Sequence, residues 1–333
     1  VRSVLGLIAV GLLALSGCTG PSSPPPPATK TPTGQARSGA AEIDKTMAKR
    51  LAENVVYRSW DTCALHDPEA AKKIFGEPET LAPDEFDQCQ LRLKNPDLTN
   101  WLLTVGVGVS FVGGEGRQKT EIAGAPLYSE SREATYCTWS LQTAEYTAIS
   151  LRAMYSGTRE AKQPPRPVCE MVKDYLTTLV PIWRNPPLRT DNATDPALSL
   201  ALKDPCATYE DLAKLLGEGA DKPSVFVNGV YTCTIRHTLK SKTGSGNGIE
   251  VKFSWGDDPV AAATRTPNQY RPVQVEGHAG SVEERKTGCK YVIKAADTTI
   301  TGLDDESQRV EVEAPTCPVA EQATKLVVKA ALG

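Results

Sequence analysis

Cys89-Gln90-Leu91-Arg92-Leu93 returns later in the chain as Cys233-Thr234-Ile235-Arg236, a cysteine opening an alternating run with arginine three places on. Alternation of apolar and polar residues is the mark of a half-buried strand. The recurrence of cysteine and arginine in one register points to an internal repeat, and that repeat decides the fold. Cysteines at 63, 89, 137 and 169 are separated by 26, 48 and 32 residues, and those at 206, 233, 289 and 317 by 27, 56 and 28. The order short, long, short therefore occurs twice.

Working outward, each copy begins with a short helix after its first cysteine. Asp67-Pro68-Glu69 opens one that ends at Gly76, and Thr208 with Asp211 opens one that ends at Gly217. Trp101 to Phe111 and Ile249 to Trp255 read as further strands, the second with Glu250, Lys252 and Ser254 on its wet face. Ile122-Ala123-Gly124 corresponds to Val275-Glu276-Gly277, and Cys137-Thr138-Trp139-Ser140-Leu141 to Cys289-Lys290-Tyr291-Val292-Ile293. A helix from Cys169 carries Val172, Tyr175, Leu176, Leu179 and Trp183, and one from Cys317 carries Ala320, Ala323, Leu326, Val327 and Ala330. The expected fold is α+β: two tandem antiparallel sheets, each with an N-terminal and a C-terminal helix packed on it.

Four cysteines per copy permit three pairings, and sequence alone does not choose among them. Placement favours Cys63 with Cys89, Cys137 with Cys169, Cys206 with Cys233 and Cys289 with Cys317, two bridges per copy. Zinc ligands would want cysteines two to four residues apart, so a metal site is not expected.

The N-terminal stretch reads as an export signal. Arg2 precedes an uncharged apolar run from Val4 to Leu15, too short to span a bilayer, and Leu15-Ser16-Gly17-Cys18 forms a lipobox. Cleavage after Gly17 would leave Cys18 as the lipidated residue. The expected organisation is a lipoprotein signal peptide over 1–17, a lipidated cysteine with a proline-rich tether over 18–40, a first domain over 41–185, a linker over 186–200 and a second domain over 201–333. The lipid would hold the chain on the outer face of the cytoplasmic membrane, where disulfides persist.

Ile43, Met47, Leu51 and Val55, four apart, give the first domain a leading amphipathic helix whose apolar stripe is expected to pack on that domain. The linker, from Asn185-Pro186-Pro187 through the polar run to Pro196, is expected to act as a short hinge.

The 37 basic residues against 40 acidic ones, in 333, offer no electrostatic footprint for nucleic acid. His66, His237 and His278 stand beside no nucleophile motif, and Gly113-Gly114-Glu115-Gly116 lacks the lysine that a phosphate-binding loop requires. No catalytic residue and no cofactor is therefore expected. Arg92 and Arg236, the charges repeated beside a cysteine, are candidates for an internal ion pair or for a shared ligand contact. Two function classes follow: a non-catalytic envelope protein binding a lipid or cell-wall-derived ligand on a sheet face or in the interdomain cleft, or a docking module for another envelope protein. A degenerate hydrolase is a third, weaker reading.

Asp204-Pro205-Cys206-Ala207 with Leu215-Leu216-Gly217, Cys233, Val275-Glu276-Gly277, Cys289 and the Cys317 helix resembles the actinobacterial secreted lipoproteins catalogued as a domain of unknown function, of an Asp-Pro-Cys type. Those proteins usually carry one such unit. The resemblance covers 203–332 well and 60–183 more loosely, because Asp61-Thr62-Cys63 departs from Asp-Pro-Cys. The pattern is also similar to extracytoplasmic sensor domains of mycobacterial serine/threonine kinases. It implies a sheet backed by helices, of the Mog and PsbP type, and it implies no catalytic residues.

Overall fold

The computed structural model describes residues 40–94, 100–111, 117–157, 163–191, 198–217, 221–238, 248–297 and 306–333. Cys18, the signal peptide and almost all of the tether lie outside the described residues, as do the Gly113 to Gly116 run and residues 192–197 of the linker.

After a leading helix α1 (Lys45–Ser59), copy one contains α2 (Pro68–Phe75), β1 (Glu77–Glu85), β2 (Gln88–Lys94), β3 (Asn100–Ser110), β4 (Gln118–Ile122), β5 (Ala125–Glu133), β6 (Tyr136–Gln142), β7 (Thr147–Ser156) and α3 (Val168–Arg184). Copy two contains α4 (Tyr209–Leu215), β8 (Ser224–Gly229), β9 (Thr232–Arg236), β10 (Gly248–Asp257), α5 (Pro259–Arg265), β11 (Arg271–Val275), β12 (His278–Arg285), β13 (Gly288–Asp297), β14 (Glu306–Ala314) and α6 (Cys317–Leu332). Both sheets have seven antiparallel strands. Their orders, β1-β2-β3-β7-β6-β5-β4 and β8-β9-β10-β14-β13-β12-β11, are the same topology drawn twice. The chain is thus two tandem α+β domains, both inside one compact unit.

The repeated Ala123-Gly124 and Glu276-Gly277 are the two-residue turns of the β4–β5 and β11–β12 hairpins. All four residues take positive φ, 49° and 70° in one copy and 50° and 83° in the other, as turns that follow the strand twist require. Glycine is free to do so; Ala123 and Glu276 are held there by the closing pairs Ile122 with Ala125 and Val275 with His278.

One face of each sheet is covered by its C-terminal helix, α3 on β6 and β7, α6 on β13 and β14. In copy one the core is aromatic: Trp101, Trp139, Trp183, Tyr175 and Phe75 are all buried, and Phe75 meets Trp101 edge-on with centroids 5.0 Å apart. Copy two uses smaller residues under α6, where Ala320, Ala323 and Val327 meet Tyr291, Ile293, Val310 and Val312. The bridges join Cys63–Cys89, Cys137–Cys169, Cys206–Cys233 and Cys289–Cys317, with Cα–Cα distances of 5.1, 5.3, 5.3 and 4.9 Å. Three staple a helical segment to a strand of their own copy, and Cys206 staples the turn before α4 to β9. Four disulfides point to an oxidising compartment outside the cytoplasm. Among the described residues no helix is long and apolar enough to cross a membrane.

Two features differ from the expectation. Helix α1 does not belong to copy one alone, and its apolar stripe ends early, for Val55 is 60% exposed while Asn54, Tyr57 and Arg58 are buried. The reason is the edge of the second sheet. Strand β8 and Val230 just after it present carbonyls that no further strand pairs among the described residues, and α1 answers them from one face with residues four apart: Arg50 donates to Val227 O at 3.1 Å, Asn54 to Gly229 O at 2.9 Å and Arg58 to Val230 O at 3.4 Å. Glu42 adds a parallel bridge to Ser224. On its other side Tyr57 OH bonds Thr143 and Thr147 of copy one at 2.8 and 2.6 Å.

The start of the linker, the expected hinge, is held against the end of α1. Leu188 pairs with Trp60, Arg189 N donates to Ser59 O at 2.9 Å, and the Arg189 guanidinium donates to Arg58 O and Phe86 O. Phe86 in turn packs against Tyr231 of copy two, with centroids 5.1 Å apart, and Lys252 reaches back to Glu85 at 2.8 Å.

Candidate ligand-binding site

Alternation along the central strands sends one set of side chains under the helix and the other onto the opposite face of the sheet. In copy one that second face carries small residues at its centre, Thr104, Thr138 and Ser140, all buried. Arg152 of β7 lies opposite Thr104 and Thr138, and in copy two the matching positions of Thr104, Thr138 and Ser140 are Glu250, Lys290 and Val292. Lys290 on β13, Arg309 and Glu311 on β14, Ser254 on β10 and Glu283 and Arg285 on β12 meet across the strand registers.

Copy two also has an element with no counterpart among the described residues of copy one. Between β10 and β11 the chain makes the extra helix α5, which packs over β12 and β13. Asp258 starts it, accepting from Val260 N at 2.7 Å and Ala261 N at 3.2 Å, with Pro259 at the first turn. The same carboxylate pairs with Lys294 of β13 at 2.7 Å, which ties the helix start to the sheet. Burial works against ionisation of Asp258, but Lys294 and the two backbone amides outweigh it and hold the carboxyl below its usual range.

Beneath α5 lies a hollow of about 620 Å³, whose lining includes Arg265, Gln269, Tyr270, Ser281, Glu283, Arg285, Lys290, Arg309 and Glu311. Its floor is an ionic network. Glu311, only 7% exposed, accepts from Lys290 at 2.5 Å, from Arg309 at 3.1 Å and from the Ser254 hydroxyl. Burial alone would push its carboxyl up; Lys290 first, then Ser254 and Arg309, overcome this and keep it below the ordinary range. Arg285 holds Glu283 at 2.6 Å and Glu313 at 2.9 Å. The hydrogen bond from Arg285 is the main cause of the lowered Glu283 pKa. The floor thus keeps the Glu311 and Glu283 carboxylates ionised and offers fixed guanidinium and carboxylate groups to a ligand.

Gly256 forms the rim. The Arg309 guanidinium curls round it, donating to Ser254 Oγ, to Trp255 O at 3.0 Å and to Asp257 O at 3.3 Å. With φ at +145° and a Cβ position 2.9 Å from Arg309 Nη2, the site admits only glycine without strain. On the far side of Gly256 a second hollow, about 410 Å³, opens between the copies, lined by Thr80, Ala82, Pro83, Asp84, Gln90 and Arg92 of copy one and Trp255, Gly256 and Glu306 of copy two.

Of the residues singled out from the sequence, Arg92 lines this cleft. Arg236 does not; it lies over the Phe226 ring at 4.3 Å. Neither makes an ion pair among the described residues, which corrects the internal-pair reading: both side chains point off the sheet, away from the core.

The three histidines stand apart. His66 is buried, with Nε2 3.2 Å from Cys89 O and Nδ1 3.2 Å from Tyr175 OH. His237 faces Asp221, and His278 opens β12. Among the described residues no cluster of His, Cys, Asp and Glu has the arrangement of a metal site.

The sequence reading missed α5 and the charged floor. The signals were present: Asp258-Pro259 followed by a short alanine-rich run is a helix start, and charges at Arg309, Glu311 and Glu313 alternate through what must be a central strand.

No family model and no curated protein matches the chain. Among solved structures it is similar to DynU16, a protein of the dynemicin biosynthetic locus, at 12% identity over 84% of this chain and 91% of that one, with a TM-score of 0.15, a likeness that carries no argument about function.

Proposed function

We propose that this is a non-catalytic binding protein of the cell envelope, tethered through a lipid on Cys18, that takes a polar cell-wall-derived ligand in the hollow under α5. The observation that carries this reading is the floor itself. Glu311 is buried on a central strand with Lys290 and Arg309 half-buried around it and Arg285 and Glu283 beside them under a helix, and a carboxylate buried there is costly unless its partners are put to use. An acyl chain would require a continuous apolar wall; this lining supplies hydrogen-bond donors and acceptors, so a glycan or peptide fragment fits better than a lipid tail. The resemblance to secreted actinobacterial lipoproteins and to kinase sensor domains agrees with such a role.

The test is binding of a soluble enzymatic digest of cell wall to the immobilised full chain, compared with Glu311→Gln and Arg309→Met variants. Retention of a defined fragment that both substitutions weaken supports the reading. Equal retention by all three proteins, or none by the native chain, defeats it. Cys18→Ala separately tests the tether: the variant should leave the membrane fraction.

A further inference from the structure

The cleft hollow differs from the α5 hollow in one respect: its charged groups are left over. Arg92 makes no ion pair among the described residues. Across the cavity, Glu306 is given one hydrogen bond by the Trp255 indole, while its Oε2 is buried with no hydrogen-bond partner among the described residues. The two do not pair with each other, although both line the same 410 Å³ space.

Comparison of the copies shows how the space arises. In register, Arg236 faces Ser224, with Phe226 facing Thr234, on β8 and β9; on β1 and β2, Arg92 faces Thr80 and Ala82 faces Gln90. Ala82 therefore stands where copy two has Phe226. In copy two the phenyl ring fills the sheet surface and takes the arginine onto its face. In copy one the ring is absent, the arginine is released, and the void is closed from the other side by Trp255 and Glu306.

From this we infer that the cleft between the copies binds a compact zwitterion, a small molecule whose carboxylate lies on Arg92 and whose ammonium lies on Glu306. A guanidinium accepts a carboxylate in a fork of two parallel bonds, and an unpartnered buried carboxylate oxygen is satisfied by an N–H donor. Burial, and then the neighbouring Asp257 and Asp84, push the Glu306 carboxyl up; an arriving ammonium reverses that. Because its two ends fall on different copies, such a ligand would clamp them together. The inference rests on the reading of the chain as a binding protein but not on the hollow under α5.

The experiment is calorimetric titration of the full chain in detergent with alanyl-alanine, N-acetyl-alanyl-alanine and alanyl-alanine amide. Alanyl-alanine should bind, and blocking either end should weaken binding by about tenfold. Arg92→Met should erase the penalty for amidation, Glu306→Gln the penalty for acetylation, and Ala82→Phe, which restores the ring of the other copy, should abolish binding. No heat up to about 10 mM alanyl-alanine, a level at which contacts even weaker than 1 mM would register, overturns the inference, as does equal binding of the capped forms. Retention of cell-wall fragment through Glu311 would be untouched by that failure, so the two readings fall separately.

Discussion

His66 gives a stability prediction with a definite sign. It is 4% exposed. Since Cys89 O can only accept, Nε2 carries the proton and donates to it, leaving Nδ1 unprotonated 3.2 Å from the Tyr175 hydroxyl, which also donates to Asp67 O at 3.3 Å. A second proton would make the ring a cation stripped of water. Burial accordingly pushes the imidazole from 6.5 down to about 4, with the Cys89 carbonyl opposing only in part. Between those values the unfolded chain binds a proton that the folded chain refuses, so stability is fully present above pH 6.5 and is lost as pH falls toward 4. At ~1.4 kcal/mol per pH unit the loss reaches ~3 kcal/mol. Asp87, half-buried at the β1–β2 turn, runs the other way: burial first and Glu85 second push its carboxyl up to about 7, so it favours the fold below its unfolded value and loses that contribution as pH rises through 7. The overall pH profile therefore mixes opposing slopes, and a difference measurement is needed. His66→Gln keeps one donor and one acceptor but cannot titrate. Urea unfolding of both proteins, disulfides intact, should show the variant less stable at pH 7 and the gap shrinking by ~3 kcal/mol by pH 4. Parallel profiles would refute the assignment of a buried neutral imidazole.

Other outcomes follow from contacts already described. Gly256→Ala should cost ~1–2 kcal/mol, since the backbone is strained for alanine and the methyl displaces Arg309, and it should weaken cell-wall fragment binding beyond the stability loss. Arg58→Met removes a 4%-exposed guanidinium that bonds Val230 O and Asp204; hydrogen exchange should accelerate on both sides of the interface, with ~2–3 kcal/mol lost. Replacing Cys206 and Cys233 together by serine opens a loop of sequence separation 27 and should lower stability by ~3 kcal/mol in denaturant melts.

The repeat was legible because its markers are local. Cysteines cluster beside alternating strands, and Gly76, Gly124, Gly217 and Gly277 punctuate elements whose partners lie nearby in the chain. Strand order was not legible: β7 closes against β3 across three intervening strands, and no spacing in the sequence records that crossover. Helix α1 misled for a physical reason. Its stripe was read as hydrophobic, yet the face that matters is Arg50, Asn54 and Arg58, polar residues, the last two buried, that satisfy the open edge of a sheet formed 170 residues or more away. The candidate site escaped for a similar reason. Lys290, Arg309 and Glu311 occupy the positions that alternation assigns to solvent, and only α5 makes that face a hollow. Arg92 was singled out, but what distinguishes it from Arg236 is Ala82 in place of Phe226, a cross-strand neighbour invisible without the register.

The central claim is that the second sheet holds a polar ligand under α5. Native mass spectrometry of the full chain, purified from an exporting host and compared with Glu311→Gln, tests it most directly. The account predicts a stoichiometric adduct of glycan or peptide mass on the native protein that is absent or depleted on the variant. A native protein that flies bare after exposure to cell-wall digest, or an adduct that extracts as lipid and ignores the substitution, would contradict it.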